Sequence, residues 1–185
     1  MNILETERLI LRQFVQDDLE DFYEYCKNPS VGTNAGWKPH ENKEESTRIL
    51  QGIIDGNEVL ALIDKDKSKV IGSIGLHKDD MRTTEKVKMV GFVLSKEYWG
   101  NGIMTEAVKR IMEYAFLELN LKLLSVNHYS FNDRSKRVIE KCGFKYEGTL
   151  RYARQIFDGT VKDIVCYSIT KDEWQELVNT NDLSA

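Results

Sequence analysis

The sequence has very little proline and no long apolar segment. Its two prolines in 185 residues fall well below the usual share of about 5%, which excludes the collagen-like and proline-rich linker classes. The longest apolar runs, such as Val59 to Ile63, span only a few residues, whereas a helix that crosses a bilayer needs about 20. The first twelve residues carry Glu5 and Glu7 with no apolar stretch before them, so we expect no signal peptide.

Cysteine is also scarce, and positive charge is not in excess. Cys26, Cys142 and Cys166 are odd in number and form no Cys-x-x-Cys pair, which argues against a disulfide framework and a zinc knuckle. Each lies among apolar neighbours, so we expect buried, reduced thiols in a cytoplasmic protein without a metal site. The 26 Lys and Arg against 30 Asp and Glu give a net charge of −4, which is unlike the basic footprint of a nucleic-acid-binding protein.

The apolar residues that are present predict a mixed α/β domain. Alternation of apolar and polar residues predicts strands, and apolar residues spaced three and four apart predict helices. The predicted strands are Arg8 to Phe14, Val59 to Ile63, Val70 to Leu76, Val87 to Leu94, Leu121 to Asn127, Tyr146 to Ile156 and Ile164 to Ile169. The predicted helices begin near Asp17, Glu44, Met104, Arg134 and Asp172. Residues 30–40 contain glycine and proline and are predicted to be irregular.

The strongest periodicity lies in residues 104–119, where apolar side chains follow a helical repeat without a miss. Strands are predicted on both sides of this helix. Such strand–helix–strand units are right-handed parallel crossovers in nearly all proteins. No linker or repeat interrupts the chain, so we expect a single domain over residues 1–185. Its sheet should be mixed and mostly antiparallel, with one parallel pair of strands and with flanking helices.

A glycine-containing turn joins the first strand of this unit to the helix. It reads Trp99-Gly100-Asn101-Gly102-Ile103-Met104-Thr105. The first amides of a helix have no partner within it and carry the positive end of its dipole, and glycines allow a phosphate to approach them. The turn therefore predicts a phosphate site, although a tight turn that only needs positive φ could have the same sequence.

Two familiar phosphate-binding motifs do not fit this turn. A Walker loop needs Gly-Lys-Ser/Thr, whereas Ile103 and Met104 follow Gly102. A dinucleotide fingerprint needs a third Gly or Ala where Thr105 stands and an acidic residue at the end of the next strand, where Asn127 stands. A dinucleotide-dependent enzyme is therefore disfavoured, and the remaining interpretation is the pyrophosphate loop of an enzyme that uses acyl-CoA.

Two segments of the chain resemble signatures of the GNAT superfamily of acetyl-CoA-dependent N-acetyltransferases. Residues 99–104 resemble its pyrophosphate motif, Gln/Arg-x-x-Gly-x-Gly/Ala, with Trp99 and Met104 as departures. Residues 132–148 resemble Asn-x-x-Ser-x-Arg-Val-x-Glu-Lys-x-Gly-Phe-x-x-Glu-Gly, a signature of the branch named after the ribosomal-protein acetyltransferases RimJ and RimL. The N-terminal segment Glu5 to Arg12 also fits, so the resemblance covers nearly the whole chain.

The resemblance implies a GNAT-type fold, in which the strand before the glycine turn splays away from the strand after the helix. It implies that acetyl-CoA is the co-substrate and that its pantetheine arm pairs in this gap with the backbone of Phe92, Val93 and Leu94. It also implies that the pyrophosphate binds to the glycine turn. The residues predicted to form that part of the site are Trp99, Gly100, Asn101, Gly102, Ile103, Met104 and Thr105.

Asn132 and Ser135 have the predicted roles closest to the thioester. By the resemblance, Asn132 hydrogen-bonds the pantetheine arm and Ser135 faces the thioester sulfur. A structural alternative stays open for each residue. Asn132 could simply cap a helix, and Ser135 could be an ordinary helix hydroxyl.

The sequence lacks two catalytic side chains that the resemblance leads us to expect. Ile139 stands where relatives usually carry a Tyr that protonates the leaving thiolate, and Ser135 is the candidate substitute. Met89 stands where many relatives carry a Glu that acts as the base. His77 and His128, each at the end of a predicted strand, are candidates to accept the proton. A route through bulk water, with no dedicated base, is the alternative.

The acceptor site is expected in residues 30–40 and in the hairpin of residues 151–160. Asn34, Trp37 and Tyr152 are the candidate acceptor-binding residues, although Trp37 could equally belong to the core. Acidic residues crowd the first predicted helix. If they rim the acceptor cleft, they favour a cationic acceptor such as a protein N-terminus, a polyamine or an aminoglycoside.

We therefore predict an enzyme that moves the acetyl group of acetyl-CoA to a primary amine, by direct attack in a ternary complex. The preferred acceptor is the α-amine of a protein. The alternatives are a small-molecule or polyamine acetyltransferase and, in another class, a CoA-binding sensor without catalysis. We expect neither a nucleic acid nor a membrane as a partner, and either a monomer or a homodimer.

Overall fold

The computed structural model describes residues 3–182, which form an eight-stranded sheet with helices on both faces. The strands are β1 Leu4–Glu5, β2 Leu9–Gln13, β3 Val59–Asp64, β4 Lys69–His77, β5 Val87–Leu94, β6 Leu123–Tyr129, β7 Lys145–Gln155 and β8 Val161–Thr170. The α-helices are α1 Leu19–Cys26, α2 Pro29–Ala35, α3 Lys43–Gly56, α4 Ile103–Glu113, α5 Asp133–Lys141 and α6 Lys171–Asp182. The short strand β1 is the one strand that the sequence pattern did not predict.

The strand order in the sheet is β1-β2-β3-β4-β5-β6-β8-β7. Neighbouring strands are antiparallel, except β5 and β6, which are parallel and are joined through α4. The parallel ladder runs only from Val87–Leu123 to Val90–Val126, and the two strands separate beyond it. The predicted mixed sheet with one splayed parallel pair is therefore confirmed.

Two hydrophobic cores lie on opposite faces of this sheet. Successive residues of a strand point to opposite faces, and in β5 Val90 belongs to one core while Val93 packs against the other. The first core includes Ile111 of α4, and we call its side the α4–α5 face. The second core includes Leu50 of α3, and we call its side the α1–α3 face.

Helix α4 has the buried face that its periodicity predicts, but it ends differently. Residues 103, 104, 107, 108, 111 and 112 are all buried. The predicted helix continued to Leu119, whereas Tyr114–Glu118 form a π-helical turn, in which the Leu119 amide donates to the Tyr114 carbonyl. The wider turn keeps Ala115 and Phe116 in the core.

Residues 29–35 form helix α2, so the prediction of an irregular segment was wrong for this part of the chain. The Asn28 side chain accepts a hydrogen bond from the Ser30 amide at 3.0 Å, and Pro29 occupies the first helical turn. Both features favour a helix start. Gly36 ends the helix with a φ of +84°. The Asn28-Pro29 pair that ends α1 therefore also begins α2.

Cys26, Cys142 and Cys166 are buried free thiols, as predicted. Burial raises the pKa of each of them, so none is an activated thiolate at neutral pH. Within residues 3–182, no helix is long and apolar enough to cross a membrane. The same residues contain no group of three or more His, Cys, Asp or Glu side chains that could hold a metal ion.

Candidate active site

A cavity of about 610 Å³ opens where β5 and β6 separate. Beyond Val90 and Val126 the parallel ladder stops, so the next residues of β5 keep a strand partner only in β4. Their backbone groups on the β6 side are left available to another hydrogen-bonding chain. Phe92, Val93 and Leu94 all line the cavity. The sequence-predicted gap is therefore present at the predicted residues.

The glycine turn, residues 99–105, forms one wall of the cavity. Gly100 and Gly102 have φ values of +83° and +76°, a region that glycine adopts without strain. A Cβ added at Gly100 would meet no atom within 4 Å, and one added at Gly102 would meet only Arg8, at 3.7 Å. Open space therefore faces the first amides of α4, and this arrangement fits a pyrophosphate group. Trp99 fixes the turn, because its Nε1 donates to the Leu94 carbonyl at 2.9 Å.

Arg8 and Glu106 brace the glycine turn from outside the cavity. The Arg8 guanidinium donates to Glu106 Oε2 at 2.7 Å and to the Asn101 carbonyl at 3.0 Å. Burial alone would raise the pKa of Glu106, but hydrogen bonds from Thr6 and Arg8 outweigh it, so the pKa is lowered and the carboxylate stays charged. Asn101 is the one residue of the turn that does not line the cavity.

Helix α5 forms the wall opposite the glycine turn, and Asn132 caps its N-terminus. The Asn132 Oδ1 accepts from the Ser135 amide at 3.1 Å, and its Nδ2 donates to the Asn34 carbonyl at 3.0 Å. The helix-cap alternative for Asn132 is thus present, and one Nδ2 hydrogen is left for a ligand. Ser135 also lines the cavity and is half-buried. Its hydroxyl has no hydrogen-bond partner among residues 3–182.

His128 lies on β6, lines the cavity and is buried. Its Nδ1 is 2.8 Å from the Tyr129 carbonyl. A carbonyl can only accept a hydrogen bond, so Nδ1 carries a proton and donates it. Nε2 has no partner within the described part of the chain. A buried polar atom without a partner costs about 1–3 kcal/mol, which points to a ligand group in the cavity.

His77 ends β4 and also lines the cavity. Its Nδ1 is 3.3 Å from Glu58 Oε2, so the carboxylate accepts from Nδ1 and orients the ring. A Cβ added at Gly91, the first residue beyond the parallel ladder, would lie 3.1 Å from that Nε2. His77 is the cross-strand partner of Met89. The imidazole therefore lies beside the position where the resemblance leads us to expect a Glu.

His77 and His128 reach the cavity from opposite faces of the sheet. Met89 and Val93 are four residues apart on β5 and therefore point to the same face of the sheet, the α1–α3 face. His77 is the cross-strand partner of Met89, so its side chain lies on that face too. His128 follows Val126 by two residues and lies on the α4–α5 face. The separation of β5 and β6 joins the two faces, so a single cavity contains both imidazoles.

The structure brings two of the three candidate acceptor residues to this cavity. Asn34 of α2 and Trp37, just after α2, both line it. Trp37 also packs against the core of the α1–α3 face, so it serves as core and as cavity wall. Tyr152 does not line the cavity: it is 80% exposed, with a φ of +53°. The pairing register of β7 shifts between Leu150 and Arg154, which turns this segment away from the regular ladder.

The acidic residues of α1 do not rim the cavity. Glu20 and Glu24 form ion pairs with Lys43 and Lys69, and no described residue that lines the cavity is Asp or Glu. The charged side chains of the lining are instead basic, namely Arg134, Arg137, Lys141 and Arg154. The condition that favoured a cationic acceptor, whether a protein N-terminus, a polyamine or an aminoglycoside, is therefore not met.

The signature over residues 132–148 includes Arg137 and Lys141, but the sequence analysis gave them no role, and it did not single out Arg134, Arg154 or Glu58. Arg134, Arg137 and Lys141 follow one another by three and four residues, so a helical projection of residues 133–141 could have found them. Glu58 and Arg154 had no such signal. Glu58 contacts His77 only because β3 and β4 pair, and Arg154 follows an irregular register in β7.

Comparisons with known proteins agree with this geometry. The family description "Acetyltransferase (GNAT) domain" matches residues 8–145. The chain belongs to the GNAT acetyltransferase family. It is 32% identical over 180 residues to the uncharacterized N-acetyltransferase YoaA of Bacillus subtilis (strain 168), which covers 91% of this chain and 97% of YoaA. The protein is accordingly an N-acetyltransferase whose co-substrate is acetyl-CoA.

Other relatives match in part or in fold. YdaF of Bacillus subtilis (strain 168), named provisionally as a ribosomal N-acetyltransferase, is 35% identical over 104 residues, which are 56% of this chain and 55% of YdaF. A GNAT acetyltransferase structure from Bacillus anthracis has a TM-score of 0.83 at 23% identity, covering 92% of this chain and 99% of its own. The structure of the Microcin C7 self-immunity acetyltransferase MccE in complex with acetyl-CoA and AMP has a TM-score of 0.76 at 19% identity. The match covers 89% of this chain and 93% of the MccE chain.

Proposed function

We propose that this N-acetyltransferase acetylates a primary amine, and that the amine is the α-amine of a protein N-terminus, as in the RimJ/RimL-like branch. The observation that carries the proposal is the single cavity that joins both faces of the sheet. The glycine turn and α5 line it on one side, and α2 and His77 line it on the other. Acetyl-CoA and an amine can therefore occupy it together, which supports direct attack in a ternary complex.

The described lining of the cavity contains no acidic side chain, so nothing in it attracts a polycation such as a polyamine or an aminoglycoside. Three of its four basic side chains lie on α5, on the donor side, so their charge does not select the acceptor. The attacking amine must be neutral, and an α-amine has a pKa of about 8 whereas a Lys side chain has about 10.4. The α-amine is thus the easier group to deprotonate near neutral pH. The provisional name of YdaF is consistent with a protein acceptor.

In this mechanism His77 accepts the proton of the attacking amine. It lies on the same face as α2, and its Nε2 is next to Gly91 at the opening between the strands. Glu58, 3.3 Å from Nδ1, stabilises the imidazolium that forms. The new N–C bond forms as the C–S bond breaks, and the proton on His77 then passes to solvent. His128 is the second candidate for this proton, from the opposite face.

The groups on the α4–α5 face hold the donor and assist its leaving group. The Ser135 hydroxyl, which has no partner within the described residues, donates a hydrogen bond to the departing sulfur. The remaining Nδ2 hydrogen of Asn132 binds the pantetheine arm next to the backbone of Phe92, Val93 and Leu94. The pyrophosphate binds at residues 99–105. On the α1–α3 face, Asn34 and Trp37 contact the acceptor.

A panel of amines tests the acceptor assignment. The release of free thiol from acetyl-CoA is followed with a peptide that has a free α-amine and no Lys. The matched control is the same peptide with its α-amine acetylated, and a polyamine and an aminoglycoside complete the panel. We expect release with the free peptide at least about tenfold faster than with any other compound, equivalent to about 1.4 kcal/mol in the barrier. Release only with the polyamine or the aminoglycoside would overturn the acceptor assignment.

A further inference from the structure

Arg154 is the one basic residue of the described cavity lining that does not belong to α5. It lies on β7 and reaches the cavity from the hairpin that β7 forms with β8. Its side chain is exposed and forms no hydrogen bond or ion pair within residues 3–182. The proposed mechanism gives this unpaired cation no role.

A bulge in β7 brings Arg154 to its position. Leu150 pairs with Ile164 and Arg154 pairs with Lys162, so three residues of β7 stand opposite a single residue of β8. In an unbroken ladder Tyr152 would be the partner of Lys162. The bulge therefore puts Arg154 in the place that a regular hairpin would give to Tyr152.

The bulge is a fixed feature of the hairpin. Its middle residue, Tyr152, has a φ of +53°, which non-glycine residues seldom adopt. The Tyr152 amide donates to Asp163 Oδ1 at 2.7 Å, and the Asp163 carbonyl accepts from the Ser130 amide at 3.1 Å. Bulges and strained residues of this kind are often found next to active sites, where they redirect a side chain.

Arg154 lies on the acceptor side of the sheet. Ile164 and Tyr167 are three residues apart on β8 and point to opposite faces, and Tyr167 belongs to the core of the α4–α5 face. Ile164 therefore lies on the α1–α3 face. Lys162, two residues away, shares that face, and so does its cross-strand partner Arg154. This is also the face of His77 and α2.

A second cavity, of about 260 Å³, lies beside the first. Met89, Asn127 and Arg154 line both cavities, so they form the boundary between them. Residues of β7 and β8, together with residues 79–81, line much of the second cavity. An acceptor whose amine lies beside His77 can therefore continue past Arg154 into the second cavity.

Arg154 is the cation at this boundary that has no countercharge. Besides Arg154, the described lining of the second cavity has three charged side chains. Asp79 is already paired with Arg82, at 2.7 Å. Asp80 and Arg151 form no ion pair within the described residues, and their opposite charges offset each other. The group of an acceptor that fits beside Arg154 is therefore an anion.

The distance from the amine to Arg154 fits the second residue of a peptide. In the strand order, β7 is three strands away from β5, or roughly 14 Å at the usual strand spacing. The long side chain of Arg154 covers part of this distance. Each residue of an extended peptide advances about 3.5 Å. A carboxylate on the second side chain can therefore meet the guanidinium while the amine stays beside His77.

We infer that Arg154 selects acceptors whose second residue is Asp or Glu, by pairing its guanidinium with that carboxylate. The planar guanidinium can donate two parallel hydrogen bonds to a carboxylate, which Lys cannot do. The second cavity then receives the chain that follows. This inference rests on the proposed function, in which the acceptor is the α-amine of a protein.

The test compares three peptides that differ only at the second residue. They begin Ala-Asp, Ala-Asn and Ala-Arg, have a free α-amine and contain no Lys. Thiol release from acetyl-CoA gives kcat/KM for each peptide with the unaltered protein, Arg154→Gln and Arg154→Glu. Lys162→Gln is the matched control, because Lys162 is the cross-strand partner of Arg154 but lines neither cavity.

We expect kcat/KM of the unaltered protein to be about fivefold higher for the Asp peptide than for the Asn peptide, the scale of a partly exposed ion pair. The Arg peptide should be the poorest. The ratio of Asp to Asn should approach one in Arg154→Gln and stay unchanged in Lys162→Gln. Arg154→Glu should reverse the order and favour the Arg peptide, which a merely structural role of Arg154 would not produce.

Several outcomes would contradict the inference. Equal kcat/KM for the Asp and Asn peptides in the unaltered protein would overturn it, and so would a preference that survives in Arg154→Gln. An equal loss of preference in Lys162→Gln would mean a general charge effect and would also overturn it. In each of these cases the peptides are still acetylated and the proposed function stands. No acetylation of any of the three peptides would overturn the proposed function, and this inference with it.

Discussion

The two ends of the cavity are built in different ways. The glycine-turn end comes from one continuous segment, residues 99–105, together with one face of α5. The α2 end brings together His77, Asn34 and Trp37 from separate parts of the chain, which meet only because α2 and β4 pack on the α1–α3 face. Donor binding is therefore a locally encoded property, whereas acceptor choice and proton transfer depend on tertiary packing. Substitutions at the two ends should accordingly change different kinetic constants.

The largest expected effect is at the α2 end, on turnover. His77→Gln should lower the single-turnover rate roughly hundredfold, the usual scale of a general base, and leave acetyl-CoA affinity unchanged. Glu58→Gln should cost less, because Glu58 acts only through the His77 ring. Rapid-quench rates and calorimetry measure the two quantities. Full turnover in His77→Gln would contradict the role of His77 as the proton acceptor and would favour His128 or solvent instead.

Substitutions at the glycine-turn end should change the affinity for acetyl-CoA. Gly102→Ala should weaken acetyl-CoA binding by more than about tenfold, because a Cβ at a φ of +76° strains the turn that presents the first amides of α4 to the pyrophosphate. Gly159→Ala is the matched control, since Gly159 has a similar φ of +82° in the turn between β7 and β8. Both variants should lose comparable thermal stability from strain at positive φ. Unchanged affinity in a folded Gly102→Ala protein would contradict the pyrophosphate placement.

Ser135 lies between the two ends of the cavity, and its substitution should separate an effect on rate from an effect on affinity. Ser135→Ala should slow the single-turnover rate by about tenfold, or about 1.4 kcal/mol, with little change in acetyl-CoA affinity. The reason is that the sulfur gains negative charge mainly in the transition state. Single-turnover rates are needed because slow product release would hide the effect in steady state. An undiminished rate would make Ser135 an ordinary helix hydroxyl.

Asn132 joins the two ends, since it caps α5 and donates to the Asn34 carbonyl. Asn132→Ala should lower the free energy of unfolding by about 1 kcal/mol, the typical value of a lost helix cap. Asn132→Ser keeps a capping oxygen and should recover most of that loss. Urea denaturation measures both variants. If Asn132→Ala is as stable as the unaltered protein but binds acetyl-CoA more weakly, Asn132 acts as a ligand group and not as a cap.

The smallest effect concerns His40, which helps to hold the α2 end. Its Nδ1 is 2.7 Å from Ser46 Oγ, and its ring is 5.4 Å from that of Trp37. Burial lowers the pKa of His40, so below a pH of about 6.5 the unfolded chain takes up a proton that the folded protein does not. The free energy of unfolding should therefore fall as the pH drops from 7 to 5. The fall should be shallower in His40→Asn, and an equal slope would exclude His40 as its cause.

The difference between the two ends also explains what could be predicted from the sequence. The glycine turn, the splayed strands and α5 depend on local patterns, such as Gly102 before a periodic helix and Asn132 before another. The contacts of Glu58 with His77 and the position of Arg154 depend on strand register, which no local pattern encodes. Helix α2 was missed because Asn28-Pro29 both ends one helix and begins the next. Tyr152 was expected at the cavity because it lies in the hairpin of residues 151–160. The prediction missed the register shift between Leu150 and Arg154, which has no clear sequence signal.

Thiol release in a single turnover tests most directly whether the amine attacks acetyl-CoA across the opening in the sheet. The protein, in excess over acetyl-CoA, is mixed with a free-α-amine peptide, with the same peptide blocked at its α-amine, or with no peptide. We predict one thiol released per acetyl-CoA with the free peptide, and none over the same time in the other two mixtures. A stoichiometric burst of thiol without any acceptor would reveal an acetylated protein and contradict direct attack.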